Sequence, residues 1–178
     1  TEITNRYTPG ETSATVTKSW DDKNNQDGKR PSQIQVQLYG NNEAVGAPVT
    51  LNEGNQWQYT WTELPEKANG QDIVYTVKEV NVPSGYDVSI NNEDQGNLLI
   101  TNTYEPEVVN LKGTKTWDDK ENQDGKRPES ITVNLLANGE EVAQKVVTSS
   151  SQWCYEFTNL PKYECGKEIV YTGTEGNV

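Results

Sequence analysis

Alternation of apolar and polar residues is the strongest pattern in this chain. Residues 34–38 read Ile-Gln-Val-Gln-Leu and residues 131–135 read Ile-Thr-Val-Asn-Leu, so every second position is apolar. A period of two is typical of strands with one buried face. Turn-forming clusters such as 25–28 and 91–96 separate such segments, and no segment has a sustained helical period. Short strands between regularly spaced turns predict an all-β protein built as a β-sandwich.

An internal repeat of domain size organises these strands. Residues 18–31 recur as 115–128, which is a spacing of 97 residues, and residues 3–9 recur in part as 100–106 with the same spacing. This period is longer than that of solenoid repeats and suits a small autonomous domain. The repeat therefore predicts two modules of the same fold.

The two predicted modules differ in completeness. Residues 9–106 contain every segment of the repeat, whereas residues 107–178 match the same module without its last strand. A copy of that strand, Glu2–Tyr7, stands at the start of the chain, so residues 1–8 are interpreted as the last strand of a split module.

Composition narrows the classes of function. Fifteen Lys and Arg stand against 27 Asp and Glu, a formal net charge of −12, which argues against nucleic-acid binding and against electrostatic attachment to membranes. No apolar run is long enough for a transmembrane helix. Histidine is absent, which excludes His-dependent catalysis and His-based metal sites, and no metal or cofactor is expected. A start at Thr1 without any Met suggests a fragment of a larger protein.

Three polar side chains are expected to point into the core of the complete module. Alternation along residues 16–20 places Lys18 between the apolar side chains of Val16 and Trp20. Glu79 and Asn102 share a face with apolar residues of their own predicted strands in the same way. Burial lowers the pKa of a lysine amine and raises the pKa of a carboxyl group, so the three groups together form a reactive set.

The chemistry open to this set is the exchange of one amide for another. A neutral Lys18 amine can attack the side-chain carbonyl of Asn102, while a protonated Glu79 polarises that carbonyl and transfers protons as ammonia leaves. The product is a Lys–Asn isopeptide bond, formed once per module. The residues alone leave a second interpretation open, in which Lys18 extends to solvent, Glu79 pairs with it and Asn102 caps a turn.

Four motifs closely resemble the Cna B-type repeat modules of staphylococcal-type collagen adhesins. They are Thr-Lys-Ser-Trp-Asp-Asp at 17–22, Asn-Gln-Asp-Gly-Lys-Arg-Pro at 25–31, Tyr-Thr-Val-Lys-Glu at 75–79 and Ile-Thr-Asn-Thr-Tyr at 100–104. The resemblance implies an inverse immunoglobulin-like β-sandwich from a wall-anchored surface protein of a Gram-positive bacterium. It also implies a self-generated isopeptide bond between Lys18 and Asn102, with Glu79 as the catalyst.

The same resemblance identifies the corresponding residues of the second module from their positions in the repeat. Lys115 and Glu175 match Lys18 and Glu79, but the matching asparagine is absent from residues 107–178, and Asn5 is the unmatched asparagine of that type. In such adhesins the collagen-binding region is a separate domain and the B repeats form the stalk that projects it. The implied function is a structural, extracellular stalk or spacer without turnover enzyme activity, and collagen binding is not expected from these modules.

The position of Asn5 ahead of the complete module suggests assembly between molecules. Because modules of this family follow one another end to end, Asn5 and Lys115 should lie at opposite ends of the molecule. The edge left by a missing strand is a template for strand addition, so the expected partner is a second copy bound head-to-tail, with Lys115 of one molecule bonded to Asn5 of the next. The hypothesis is a permuted segment designed to polymerise. The alternatives are an arbitrary boundary within a repeat array and a chain shortened by proteolysis.

Three residues of the second module depart from the pattern of the first. Gly173 replaces a valine in a strand interior, where it could spoil the second reactive pocket or loosen it to admit a strand. Cys154 and Cys165 are the only cysteines, and alternation predicts that Cys154 faces solvent. A disulfide between them suits an extracellular protein, but the sequence leaves their pairing open.

Two other features of the sequence allow further interpretations. Residues 21–28 resemble a calcium loop in composition, but with Gly28 at the sixth position Lys23 and Ile34 occupy the first and twelfth, so the EF-hand pattern fails. This segment is interpreted as a turn-rich connection.

The acidic, aromatic-bearing surface could alternatively belong to a protein- or carbohydrate-binding module. However, no group of aromatic residues stands apart from the positions predicted for the core, as a binding platform would.

Overall fold

The protein is an all-β protein, as predicted. Its structure, a computed structural model, describes residues 1–176, so Asn177 and Val178 at the end of the predicted second module lie outside the described residues. Strands dominate the described part, where helical residues are confined to three short 3-10 turns. No helix of this part of the chain is long and apolar enough to cross a membrane.

Two compact units divide the chain. One consists of residues 1–24 and 30–105, and the other of residues 25–29 and 106 onward. The strands of the first unit are β1 (Glu11–Asp21), β2 (Gln33–Gly40), β3 (Glu43–Asn52), β4 (Gln58–Pro65), β5 (Lys67–Ala68), β6 (Gln71–Asp72), β7 (Tyr75–Val80), β8 (Asp87–Asn91) and β9 (Leu98–Thr103). Those of the second unit are β10 (Val108–Thr114), β11 (Ser130–Ala137), β12 (Glu140–Thr148), β13 (Cys154–Pro161), β14 (Tyr163–Glu164), β15 (Lys167–Glu168) and β16 (Tyr171–Glu175).

The first unit is an immunoglobulin-like sandwich of two main sheets. One sheet has the strand order β4-β1-β9-β8 and the other has the order β3-β2-β7. Alternating residues of both sheets fill the space between them, as the sequence pattern predicts. The fully buried members of this core include Val16, Val36, Leu38, Leu51, Leu98 and Ile100.

The pairing of β1 with β9 brings the first and last strands of the unit side by side. The two strands run parallel, with Val16 opposite Leu98, Lys18 opposite Ile100 and Trp20 opposite Asn102. Antiparallel pairing with β4 supports only the first part of β1, as far as Thr17. The Lys18 amide still donates a hydrogen bond to the Trp57 carbonyl beside β4, so the last three residues of β1, 19–21, depend on β9 as their only strand neighbour in the described residues.

The second unit repeats this architecture with fewer strand neighbours. Its main sheets are β10-β13 and β12-β11-β16, packed around Ile131, Val133, Leu135, Val147 and Phe157. Over the described residues β10 pairs with β13 alone. It spans 7 residues where β1 spans 11, and it ends at Thr114, just before Lys115. The part that β10 lacks corresponds to residues 18–21 of β1, which pair with β9 but not with β4.

The segment predicted to be a last strand, Glu2–Tyr7, is not a strand in the structure. Residues 1–10 belong to no helix or strand, and they are exposed, with Ile3 87% and Tyr7 88% accessible. A strand needs a neighbour for its backbone hydrogen bonds, and none contacts this segment in the sheet pairings of the described residues.

Truncation of the core should distinguish buried from exposed apolar positions. Leu38 is fully buried, so Leu38→Ala is expected to lower the free energy of unfolding by about 2–5 kcal/mol. The control Val74→Ala removes a side chain that is 62% exposed and should change it by less than about 0.5 kcal/mol. Chemical denaturation followed by tryptophan fluorescence measures both, and equal losses would contradict this assignment of the core.

Candidate functional site: a buried lysine, glutamate and asparagine

The fold brings Lys18, Glu79 and Asn102 together, as alternation predicts. Lys18 and Asn102 lie on neighbouring strands of one sheet, β1 and β9, and both point into the sandwich. Glu79 comes from β7 in the facing sheet, where it pairs with Val36 of β2. A residue from each of three strands thus meets inside the core, although their positions in the sequence are far apart.

Distances show that Glu79 contacts both Lys18 and Asn102. The Asn102 Nδ2 group donates a hydrogen bond of 2.9 Å to Glu79 Oε1. The Lys18 Nζ atom lies 3.9 Å from the same Oε1 atom, and both of these side chains are fully buried. Asn102 is also fully buried, and its Oδ1 atom and Glu79 Oε2 are buried without a hydrogen-bond partner in the described residues.

Burial displaces the pKa values of both ionisable groups toward their neutral forms. Desolvation lowers the pKa of Lys18 from 10.5 to about 7, although the carboxylates of Glu79 and Asp22 partly oppose this shift. Desolvation also raises the pKa of Glu79, against the hydrogen bond from Asn102 and the charge of Lys18. Both shifts favour the neutral amine and the protonated carboxyl group, which are the forms that a nucleophile and an acid catalyst require.

Aromatic side chains cover the lysine amine. The Lys18 Nζ atom lies 3.7 Å from the centre of the Trp20 ring. Trp20 packs edge-on against Trp57 at 5.3 Å and against Tyr86 at 5.2 Å between ring centres. The amine is thus confined between a carboxyl group and an indole face, which removes the water that would otherwise stabilise its charge.

A polar clamp formed by Asp22, Arg30 and Tyr86 holds these aromatic rings in place. The sequence pattern did not predict this clamp. The Arg30 guanidinium donates hydrogen bonds of 3.0 and 2.6 Å to the two carboxylate oxygens of Asp22, and the Tyr86 hydroxyl donates one of 2.7 Å to Asp22 Oδ2. Asp22 is only 1% exposed, so the ion pair with Arg30 compensates for its burial. The signal for this clamp was present in the repeat, since an Asp and an Arg eight residues apart recur as Asp119 and Arg127 with the same two bonds.

The second unit contains a related but more open pair. The Lys115 Nζ atom lies 3.1 Å from Glu175 Oε2, and these side chains are 26% and 30% exposed. Trp117 lies below the amine at 4.7 Å and packs edge-on against Trp153. No asparagine amide is hydrogen-bonded to this glutamate in the described residues, so the second unit carries the amine, the acid and the aromatic cover only.

The remaining sequence candidates lie outside the reactive set. Asn5 is exposed and belongs to no strand. Cys154, on β13, is exposed as predicted, and Cys165, in the turn between β14 and β15, is exposed as well. Both cysteines are free thiols, so the disulfide that the sequence left open is not formed in this structure. In the described part of the chain no group of three or more potential ligands is arranged to hold a metal.

Fold and site together define a class of structural β-sandwich modules with a lysine and an asparagine on neighbouring first and last strands. The family model described as the Cna protein B-type domain matches residues 14–103 and 111–178. The chain belongs to this family.

Relatives of known identity agree with this assignment. A collagen adhesin of Staphylococcus aureus is 59% identical over the whole chain, which spans 15% of that protein. The crystal structure of two B repeat units of the collagen-binding protein of Staphylococcus aureus is also 59% identical, with a TM-score of 0.93 over 97% of this chain and 46% of that one. A single B repeat unit of the same protein is 36% identical over 95% of this chain and 87% of that one, with a TM-score of 0.48.

The displaced pKa of Lys18 can be titrated directly in a variant without the Asn102 carboxamide. In Asn102→Ala, NMR detection of the lysine side chains should show Lys18 titrating near pH 7, because it is desolvated. Lys67 is the internal control, since its contact with Asp72 raises its pKa above 10.5.

The same shift makes the stability of this variant depend on pH. The unfolded lysine binds a proton up to pH 10.5, whereas the folded one releases it near pH 7, so the free energy of unfolding should rise with pH across this interval. A Lys18 that titrates together with Lys67, or a stability that is flat between these limits, would contradict the buried-amine assignment.

Proposed function

We propose that the chain is a covalently locked spacer of a bacterial surface adhesin, with a self-formed isopeptide bond between Lys18 and Asn102. The observation that carries this proposal is the burial of an amine and a carboxamide that both contact one buried carboxyl group, with the amine pKa lowered to about 7. A set of groups so costly to bury is expected to have a chemical use.

The proposed reaction balances as an aminolysis of the asparagine side chain. The neutral Lys18 Nζ attacks the Asn102 carboxamide carbon, and a new C–N bond forms. Glu79 takes the proton that the amine loses and delivers one to the departing nitrogen, so that the old C–N bond breaks and ammonia leaves. Glu79 regains its starting protonation state, and no oxidant, metal or cofactor is consumed.

The hydrogen bonding around Glu79 supports its role as the acid. One of its oxygens already accepts a hydrogen bond from the Asn102 amide nitrogen, while Glu79 Oε2 and Asn102 Oδ1 are both buried and unpartnered. A proton on Oε2 gives these two oxygens a partner in each other, and the carboxamide carbonyl would then be polarised by a short ring of two hydrogen bonds. Developing negative charge on Oδ1 would be stabilised by the same donor.

The crosslink would change how the unit bears load. It joins the first strand to the last, so tension passing from residue 18 to residue 102 bypasses residues 19–101. In the unfolded state a closed loop of this size is worth on the order of 4–5 kcal/mol by the entropic model for crosslinks. Such a module suits the stalk of an extracellular, wall-anchored protein, and the similarity to a collagen adhesin supports this setting.

Intact-mass spectrometry tests the bond in the first unit. The chain should be about 17 Da lighter than its sequence mass, because one ammonia leaves per bond. Glu79→Gln and Asn102→Ala should both retain the full mass, while the matched control Glu175→Gln should keep the loss. A full sequence mass in the folded wild-type protein would contradict the proposal.

The rate of bond formation should have a bell-shaped dependence on pH. Below about pH 7 the Lys18 ammonium has no lone pair for attack, and at higher pH the Glu79 carboxylate has no proton to donate, so the rate should pass through a maximum. The measurement follows the mass change after release of the chain from denaturant at a series of pH values. A rate that keeps rising to pH 10, as for an ordinary lysine, would contradict this mechanism.

We also infer that the second unit accepts a strand of the β9 type from another copy of the chain. Two observations favour this: β10 has a free edge in the described residues, and the exposed segment 3–7 repeats the sequence pattern of β9. By position, Asn5 would enter beside Lys115 and Glu175, which are already in contact. The bond would then join one molecule to the next, head-to-tail.

Denaturing electrophoresis across a range of protein concentrations tests this assembly. Ladders of multiples of the monomer should grow with concentration, and Lys115→Ala or Asn5→Ala should abolish them. Asn102→Ala is the matched control and should leave the ladder intact. Monomer alone at high concentration would count against covalent assembly.

A further inference from the structure

Two glycines stand beside the reactive pair of the second unit where the first unit has valines. Gly113 precedes Lys115 by two residues, as Val16 precedes Lys18, and Gly173 precedes Glu175 as Val77 precedes Glu79. Val16 and Val77 are 0% and 1% exposed, so they form the apolar floor next to the first amine and acid. Removing both side chains would leave a hole or admit water at this point of the second unit.

Tyr155 occupies this space. It lies on β13 directly opposite Gly113 of β10, and its phenol group covers the position where a side chain at Gly113 would lie. On the other side, its hydroxyl oxygen is 3.5 Å from the position of a Cβ atom at Gly173. The counterpart in the first unit, Tyr59, lies opposite Val16, is 40% exposed and packs edge-on against Trp61.

We propose that Tyr155 is a positioning residue for the second reactive pair and replaces the two missing valines as its apolar floor. Gly173 and Glu175 lie two residues apart on β16, so positions 173 and 175 share a face of the strand about 7 Å apart. The ring beside Gly173 therefore lies on the same face as Glu175 and the Lys115 amine that contacts it. It excludes water on the core side of the pair, whereas Trp117 covers the amine itself, and it limits the positions that the lysine chain can adopt. This inference rests on the proposed bond between Lys115 and an Asn5 strand.

Compensating substitutions test whether the ring has this role. Tyr155→Ala should slow formation of the Lys115–Asn5 bond by at least about tenfold, within the range known for misplaced reacting groups. Adding Gly113→Val and Gly173→Val to this variant should restore the rate, because valines fill the same space in the first unit. Tyr155→Phe keeps the ring and removes only the hydroxyl oxygen that faces Gly173, so it should lose much less of the rate than Tyr155→Ala.

A second readout separates this inference from the assembly on which it rests. Acetylation of Lys115, followed by peptide mapping, should be faster in Tyr155→Ala and return to the wild-type rate in the triple variant, whether or not the bond forms. Lys112, whose side chain is 75% exposed, is the internal control and should react equally in all variants. Far-ultraviolet circular dichroism checks that each variant is folded.

Unchanged bond formation and unchanged acetylation in Tyr155→Ala would overturn the proposal. So would a loss in Tyr155→Ala that the two valines do not repair, because the ring would then act through something other than its volume. If no variant, including wild type, forms the bond, the assembly proposal fails, and the acetylation pattern alone decides the role of Tyr155.

Discussion

Parallel pairing of the first strand with the last is the constraint on which the first unit depends. It extends β1 beyond its contact with β4, and it places Lys18 and Asn102 side by side on one sheet. The facing sheet then supplies Glu79 across the core. Because these side chains are buried from solvent, they influence one another far more strongly than they would in water.

The second unit shows how much of the site exists without that pairing. Its lysine, glutamate, tryptophans and Asp–Arg clamp adopt an arrangement like that in the first unit. Its strand β10 nevertheless stops at Thr114, and the ion pair stays open to solvent. The cover and the clamp are therefore local products of the repeated motif, whereas full burial of the reactive groups requires a neighbouring strand.

Alternation was sufficient to predict the inward direction of Lys18, Glu79 and Asn102, because the period of a strand fixes which face each side chain takes. It also predicted the exposure of Cys154. It could not predict that residues 2–7 lack strand structure, since this depends on a neighbour and not on the segment itself.

Contacts made across the fold were likewise beyond the sequence pattern. The Tyr86 bond to Asp22 joins residues whose proximity follows only from the packing of the loops. The role of Tyr155 depends on two glycines on different strands, one of which, Gly113, carries no signal until β10 and β13 are paired in register.

Peptide mapping by tandem mass spectrometry tests the central claim most directly. Digestion of the folded protein should yield one branched peptide in which the side chain of Lys18 is joined to that of Asn102, and its mass should be lower by one ammonia than the sum of its two parts. Recovery of the two separate linear peptides, each with its sequence mass, would contradict the account.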